Sequence, residues 1–311
     1  MSGIDVQSRL GRLGEAPGER TETIMASNQT AQTLTLPDGR KLGFAEWGDP
    51  EGKPIFHFHG SSSSRLEHPY LEHHLVGVRL VTIDRPGHGL SSFQPSRQLL
   101  DWPRDVVTLA DHLGLGTFAV SGWSFGGPYA MACAFSFPER LTAVGLISSF
   151  APYNRPGSTA GMASSVRLAL WLARWMPYGF ARQFMKIQGK ALRADPKKTA
   201  GRMLSSLPDS DQDALNDPRS LEMLLPSMTE AYRNGADGAA WEGAMLTRPW
   251  GFDLGDIVIP VEIWHGEADV NDPVQGGEYL RDAIPHARAT TFPGEGHFLI
   301  LQRWGEILAQ L

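Results

Sequence analysis

The chain lacks several features that whole classes of protein require. It has one cysteine in 311 residues, Cys133, so no disulfide can form within it, and we expect a buried, inert thiol. No apolar stretch reaches the length of a transmembrane helix. Paired-cysteine metal motifs and a Walker-type phosphate loop are also missing. The first thirty residues are polar and contain no signal-peptide core, so we expect a cytoplasmic protein.

The balance of charge is acidic. The chain has 28 Lys and Arg against 34 Asp and Glu, a formal net charge of −6. An unaided nucleic-acid partner is therefore not expected. We also expect no membrane partner, no cofactor and no metal, whereas oligomerisation is left open.

From residue 31 onward, strand and helix patterns alternate, which is typical of a mainly parallel sheet covered on both faces. Residues 1–30 read as a disordered tail. Helices are predicted at 102–113, with Asp101 as N-cap, and at 273–284 and 298–311. The predicted strands are a hairpin at 33–36 and 42–47, followed by 54–58, 80–83, 117–121, 143–147, 258–264 and 288–292.

Residues 151–250 break this rhythm. They lack convincing strands, contain helical stretches at 166–175 and 220–233, and hold seven of the ten methionines and four of the nine tryptophans. A long insertion of this kind in a compact domain is a lid or a second domain. The sequence therefore predicts an α/β core at 31–150 and 251–311, with a helical cap at 151–250.

The most informative motif is Gly122-Trp123-Ser124-Phe125-Gly126, a G-x-S-x-G pattern. An apolar β-type run precedes it, and a run of helix formers follows it. Strand, sharp turn and helix are the context in which this pattern becomes a nucleophile elbow, with an exposed serine hydroxyl. Ser124 is the predicted nucleophile.

A serine hydroxyl needs a base, and the base needs a carboxylate that orients it. His297 follows the last predicted strand and is the predicted base; its rival His265 ends a strand and is interpreted as structural. Asp269 follows the seventh predicted strand and is the predicted acid. Its competitors are Glu267, Asp272 and Glu295.

An oxyanion hole requires two backbone N–H groups. Phe125, directly after the nucleophile, should supply one, and Ser61 in the serine-rich loop after the third strand should supply the other. Gly60 allows the backbone to approach closely. We also expect Gly60, Trp123, Trp171 and Trp175 to contact the substrate.

In these motifs the chain resembles α/β-hydrolases of the esterase, lipase and cofactor-free haloperoxidase-like branch. The resemblance rests on 59–65, 84–91 and 122–127 together with Asp269 and His297, in that order, and covers roughly residues 31–311. It implies an eight-stranded sheet with an antiparallel second strand, a cap after the sixth strand, and a supporting role for 84–91. The serine-rich loop departs from the HGG-type signature of some lipases and peptidases.

These residues together predict a serine hydrolase that cleaves a small or medium apolar ester, lactone or related acyl compound through an acyl-enzyme. C–C bond or amide hydrolysis, including aminopeptidase-like activity, and perhydrolysis are alternatives with the same residues. From a different class, a hydrolase-like receptor for a small ligand is also compatible with the sequence.

Overall fold

The computed structural model describes residues 29–205, 207–215 and 217–311. The predicted disordered tail lies outside these residues, except that Gln29 and Thr30 begin the first strand. The strands are β1 Gln29–Thr35, β2 Lys41–Gly48, β3 Lys53–Phe58, β4 Val78–Ile83, β5 Phe118–Trp123, β6 Leu141–Ile147, β7 Val261–Gly266 and β8 Ala287–Phe292.

These strands form one eight-stranded sheet in the order β1-β2-β4-β3-β5-β6-β7-β8. β2 pairs antiparallel with both β1 and β4, and the pairs from β3 and β4 onward to β8 are parallel. Every residue of the central strand β5 is buried, whereas the edge strands β1 and β8 alternate between more and less exposed positions. This is the burial expected of a sheet covered on both faces. The predicted fold class and its antiparallel second strand are confirmed.

Helices cover the sheet and build the insertion. They are α1 Trp102–His112, α2 Gly126–Ser136, α3 Ser164–Trp175, α4 Tyr178–Ala194, α5 Pro196–Leu204, α6 Asp209–Ala214, α7 Pro218–Ala231, α8 Asp237–Leu246, α9 Val274–Ala283 and α10 Ile300–Gln310. Short 3-10 turns lie at Glu72–Leu75, Leu99–Asp101, Pro138–Arg140 and Leu254–Asp256. Helices α3 to α8 fall within the predicted cap. None of the helices in the described residues is both long and apolar enough to cross a membrane.

The core lies in two layers, one on each face of the sheet. Side chains alternate between faces along a strand, so Phe56 and Phe118 join one cluster while Ile55 and Ala119 join the other. Cys133 is buried in α2, and burial raises the pKa of its thiol. This agrees with the expected inert cysteine.

Two local predictions differ from the structure. The seventh strand was expected from Val258 but begins at Val261, because Pro260 has no N–H to donate to a strand ladder. Asp101 does not cap α1 with its side chain. Its carboxylate instead accepts the N–H of Gln98 at 2.8 Å and closes the preceding 3-10 turn.

A buried ion pair joins the helical insertion between β6 and β7, the predicted cap, to the core. Arg85, after β4, donates from Nε to Oε1 of Glu242 on α8 at 2.7 Å, and from a terminal nitrogen to Oε2 at 2.9 Å. Tyr129 of α2 donates its hydroxyl to the same carboxylate at 2.7 Å. Burial opposes ionisation of Glu242, but Arg85, together with the nearby His88 and Arg97, outweighs it and lowers the pKa of Glu242 to about 2. Because both charges are fully buried, each depends on the other.

Candidate active site

Ser124 occupies the sharp turn between β5 and α2. Its φ of 53° lies in the left-handed region, which is rare for a residue with a side chain. Its N–H donates to the carbonyl of Ile147 at 2.9 Å. A Cβ at position 122 would overlap the carbonyl of Gly126, and one at Gly126 would overlap the carbonyl of Phe58. The two glycines therefore permit the tight turn that presents Ser124.

His297 and Asp269 form a fixed pair. His297 Nδ1 and Asp269 Oδ2 are 2.9 Å apart, and both side chains are buried. The other oxygen of Asp269 accepts the backbone N–H groups of Asn271 and Asp272 at 2.8 and 2.9 Å. Because Nδ1 is committed to Asp269, Nε2 is the nitrogen of His297 left for chemistry, and no described residue hydrogen-bonds to it.

Asp272 was expected only as a competitor for the acid position, but its carboxylate approaches the nucleophile directly. The Ser124 hydroxyl donates to Asp272 Oδ2 at 3.4 Å, and this oxygen lies 4.0 Å from His297 Nδ1. Among the described residues, Ser124 and His297 share no hydrogen bond. The hydroxyl is therefore held by the second carboxylate of the same loop.

Several ionisable groups compete in this small volume. Burial by itself would lower the pKa of His297, but the carboxylates of Asp269 and Asp272 outweigh it and raise the pKa to about 9. Burial raises the pKa of Asp272 to about 7; Asp269 adds to the increase, and His297 opposes it. The site thus combines the His297 imidazole with two buried carboxylates.

His265, the rival base, supports the loop instead. Its Nε2 lies 2.6 Å from the carbonyl oxygen of Asp272 and 3.6 Å from Asp269 Oδ2, and its ring is buried. This agrees with its interpretation as a structural residue. The two remaining competitors lie elsewhere, since Glu267 is exposed and Glu295 pairs with Arg303.

One predicted oxyanion donor, Ser61, lies in the serine-rich loop, and the other, Phe125, follows the nucleophile. The N–H of Gly60 is engaged by both oxygens of the buried Glu67 at 3.2 Å. Glu67 also contacts His57 Nε2 at 2.9 Å, so it fixes the start of the loop. Within the described ranges, the N–H groups of Ser61 and Phe125 have no hydrogen-bond partner.

A cavity of about 450 Å³ opens over Ser124 and His297. Its walls are mostly apolar, with polar groups near the nucleophile. Three predicted site residues line it. Gly60 and Trp123 were expected to contact the substrate, and Ser61 was expected to bind the oxyanion. The other lining residues are Ser62, Ser63, Ala163, Ser165, Val166, Ala169, Leu207, Pro208, Leu221, Leu224, Leu225, Met228, Val270, Asn271 and Phe298.

The structure does not bring Trp171 and Trp175 to this cavity. Their side chains are 54% and 65% exposed on the outside of the cap. The two residues lie four positions apart on one face of α3, and that face points to solvent. The apolar walls from the insertion come instead from Val166 and Ala169 on the inner side of α3 and from α7, chiefly Leu221, Leu224 and Met228.

The arrangement of the described side chains also bears on metal binding. Across residues 29–205, 207–215 and 217–311, no group of three or more His, Cys, Asp or Glu side chains is arranged to hold a metal ion. The acidic residues of the site are engaged by Ser124, His297 and backbone N–H groups. The arrangement suits nucleophilic chemistry by a serine.

Comparison with known proteins decides the family. The family model described as alpha/beta hydrolase fold matches residues 53–303, which is more than half of the chain. The chain belongs to the α/β-hydrolase family. Relatives within this family are named as esterases, and this α/β-hydrolase is a hydrolytic enzyme.

Individual relatives are distant. The chain is 28% identical over 220 residues to the pimeloyl-[acyl-carrier protein] methyl ester esterase of Nitrosomonas europaea, covering 70% of this chain and 78% of that one. A thermophilic esterase from Thermogutta terrifontis superposes with a TM-score of 0.63 at 22% identity, covering 92% and 96% of the two chains. The enol-lactonase from Burkholderia xenovorans gives 0.64 at 18% identity, covering 90% and 97%. At such identities the structural likeness establishes the fold.

Proposed function

We propose that this α/β-hydrolase is a serine hydrolase that cleaves a small or medium apolar ester, lactone or related acyl compound. The observation that carries the proposal is the placement of Ser124. It lies on a strained turn at the base of an apolar cavity. His297 lines this cavity, and Asp269 hydrogen-bonds to the far side of the His297 ring. Strain at a buried polar residue of this kind marks functional sites.

In the proposed reaction, Nε2 of His297 takes the proton of Ser124 as its oxygen attacks the substrate carbonyl. The N–H groups of Ser61 and Phe125 bind the oxyanion that forms. His297 then gives the proton to the leaving group, which departs and leaves an acyl-enzyme. Water, deprotonated by His297, then attacks the acyl carbon, the acyl group leaves Ser124 as a carboxylic acid, and His297 returns the proton to the Ser124 oxygen.

These reaction steps require the Ser124 hydroxyl to break its hydrogen bond with Asp272. A rotation about the Cα–Cβ bond carries the hydroxyl from the carboxylate towards Nε2 of His297. Catalytic hydrogen bonds are commonly long or misaligned until substrate binds, so the observed contact at 3.4 Å describes the resting orientation. Asp269 stays in place, since its backbone partners and His297 hold both of its oxygens.

The cavity supports an apolar substrate of limited size. Aliphatic walls from α3 and α7 surround a floor where polar groups converge, and 450 Å³ falls at the small end of the usual range for ligand pockets. The names of the relatives, a methyl ester esterase and an enol-lactonase, include two acyl compounds of this kind.

A fluorophosphonate probe tests the nucleophile. The parent protein should be labelled on the peptide that contains Ser124, and Ser124→Ala should lose both labelling and ester hydrolysis. Ser165→Ala, a change of the same type in the same cavity, should keep both. Hydrolysis retained by a folded, purified Ser124→Ala protein would refute the assignment.

Short p-nitrophenyl esters then separate an enzyme from a receptor. An enzyme gives steady turnover after the first acyl transfer, whereas a receptor with the same residues stops after one equivalent. A panel from acetate to octanoate, with matching lactones and amides, identifies which acyl bond is cleaved. A burst without turnover on every ester and lactone would overturn the hydrolase proposal.

A further inference from the structure

The outer face of the cap exposes an unusual amount of apolar surface. We define the outer cap face as Leu168, Trp171 and Trp175 of α3 with Phe180, Phe184 and Ile187 of α4. These six side chains are between 54% and 69% exposed. Single exposed apolar residues are normal on a protein surface, but several large ones on two consecutive helices mark an interaction site.

The helical spacing makes each trio a continuous stripe. Residues 168, 171 and 175, and residues 180, 184 and 187, recur every three or four positions and so share one face of their helix. Both helices pack on α8. Their buried residues, Leu170 on α3 and Gly189 and Leu192 on α4, lie on the sides away from the stripes. Both stripes therefore face outward from a shared support.

The same two helices and α5 are strongly basic. Residues 164–204 contain nine Lys and Arg and one acidic residue, Asp195, in a chain whose net charge is −6. Lys186 and Lys190 of α4 are exposed and make no ion pair with any described residue. The full basic set is Arg167, Arg174, Arg182, Lys186, Lys190, Arg193, Lys197, Lys198 and Arg202.

The combination of charge and apolar groups selects one occupant. A second copy would bring like charges together across a two-fold interface, which opposes association. Phosphates of a nucleic acid would satisfy the lysines but leave leucine, isoleucine and phenylalanine side chains in water. An anionic bilayer satisfies both, since aromatic and aliphatic side chains enter the acyl boundary while Lys and Arg meet the headgroups.

We propose that the outer cap face docks on the surface of an anionic lipid bilayer. The expectation of no membrane partner followed from the lack of a spanning segment, and docking at the surface needs none. Helix α3 also supplies Ser165, Val166 and Ala169 to the lining of the cavity. Docking would therefore set one wall of the active-site cavity against the lipid surface.

Flotation of the full-length protein with vesicles tests the proposal. Vesicles with about one third phosphatidylglycerol in phosphatidylcholine should carry the protein, and pure phosphatidylcholine should carry far less. Trp171 and Trp175 should shift their fluorescence to shorter wavelength as they enter the interface. Lys186→Gln and Lys190→Gln should each weaken binding to the anionic vesicles about fivefold.

Matched variants distinguish binding through the outer cap face from nonspecific hydrophobic adsorption to vesicles. Trp175→Ser with Phe184→Ser should abolish flotation, whereas Val76→Ser with Val258→Ser, a pair of core positions with a higher mean exposure, should not. Circular dichroism and melting curves confirm that both variants are folded. Ser124→Ala should bind vesicles like the parent protein, so this test does not depend on the proposed hydrolysis.

Any of four flotation results would overturn the docking proposal. These are no flotation with anionic vesicles, equal flotation with neutral ones, undiminished flotation of Trp175→Ser with Phe184→Ser, or equal loss in the core control. Sedimentation should show no self-association that this cap variant abolishes. Finding such an association, or binding to nucleic acid in place of vesicles, would assign the face to that partner instead.

Discussion

Replacing Asp272 by asparagine isolates the effect of one negative charge on the proposed base. The amide has the same shape and still offers an oxygen to the Ser124 hydroxyl, so the geometry is kept while the charge is removed. In the parent protein the pKa of His297 is raised to about 9, chiefly by Asp269 and then by Asp272 against the effect of burial. Because a protonated imidazole cannot accept a proton, kcat/KM should fall as pH drops through that value.

The magnitude follows from the separation of 4.0 Å between Asp272 Oδ2 and His297 Nδ1. Two unit charges at that distance interact by about 1 kcal/mol in water and about 4 kcal/mol at an effective dielectric constant of about 20. One pKa unit corresponds to about 1.4 kcal/mol. Loss of the charge should therefore lower the pKa of His297 by about 0.7 to 3 units. Since Asp272 has a pKa of about 7, it is ionised where His297 titrates.

The assay is kcat/KM for a short p-nitrophenyl ester as a function of pH, with melting temperature measured beside it. Asp272→Asn should move the acid limb of the profile towards lower pH and so raise activity at neutral pH. Glu267→Gln, a change of the same type at an exposed position in the same loop, should leave the limb in place. A limb that stays fixed or moves to higher pH in the folded Asp272→Asn enzyme would refute the electrostatic reasoning.

Three further predictions concern the acid, the cavity and the cap. Asp269→Asn should reduce kcat about 10³- to 10⁴-fold because His297 loses the partner that fixes its tautomer, and a smaller loss than in Asp272→Asn would reassign the acid. Met228→Ala should shift the preference in kcat/KM from acetate through octanoate esters to longer chains, since Met228 lines the cavity; Trp175→Ala should not, and the reverse pattern would place the cavity elsewhere. Glu242→Gln should lower the free energy of unfolding in urea by about 3–5 kcal/mol, because Arg85 is left buried and uncompensated. The partly exposed Glu295→Gln should cost about 1 kcal/mol or less, and equal losses would contradict the role of burial.

The parts of the site that follow from local sequence were predictable. The prediction of Ser124 as nucleophile depends only on a strand, two glycines and a helix, and these signals are adjacent in the chain. Asp269 and His297 each follow a strand at the same edge of a parallel sheet, so strand order alone brings them together. The sheet was predictable because the alternation of strand and helix patterns is also a local signal along the chain.

Other features depend on folding that periodicity does not encode. Asp272 reaches Ser124 because the loop after β7 turns back on itself, with Asp269 accepting two of its N–H groups. Trp171 and Trp175 share a helical face, but sequence spacing does not say whether that face meets the cavity or the solvent. The packing of α3 on α8 decides it.

Arg85 and Glu242 are 157 positions apart, and no nearby pattern connects them. Their buried pairing bears on the exchange of caps between members of the family. A transplanted cap that lacks an acid at position 242 would leave the Arg85 guanidinium buried without a counter-charge. The chimera would then be destabilised whatever the substrate specificity of its new cap. Recombination should therefore move Arg85 and Glu242 as a unit, with the crossover points chosen to keep both from the same parent.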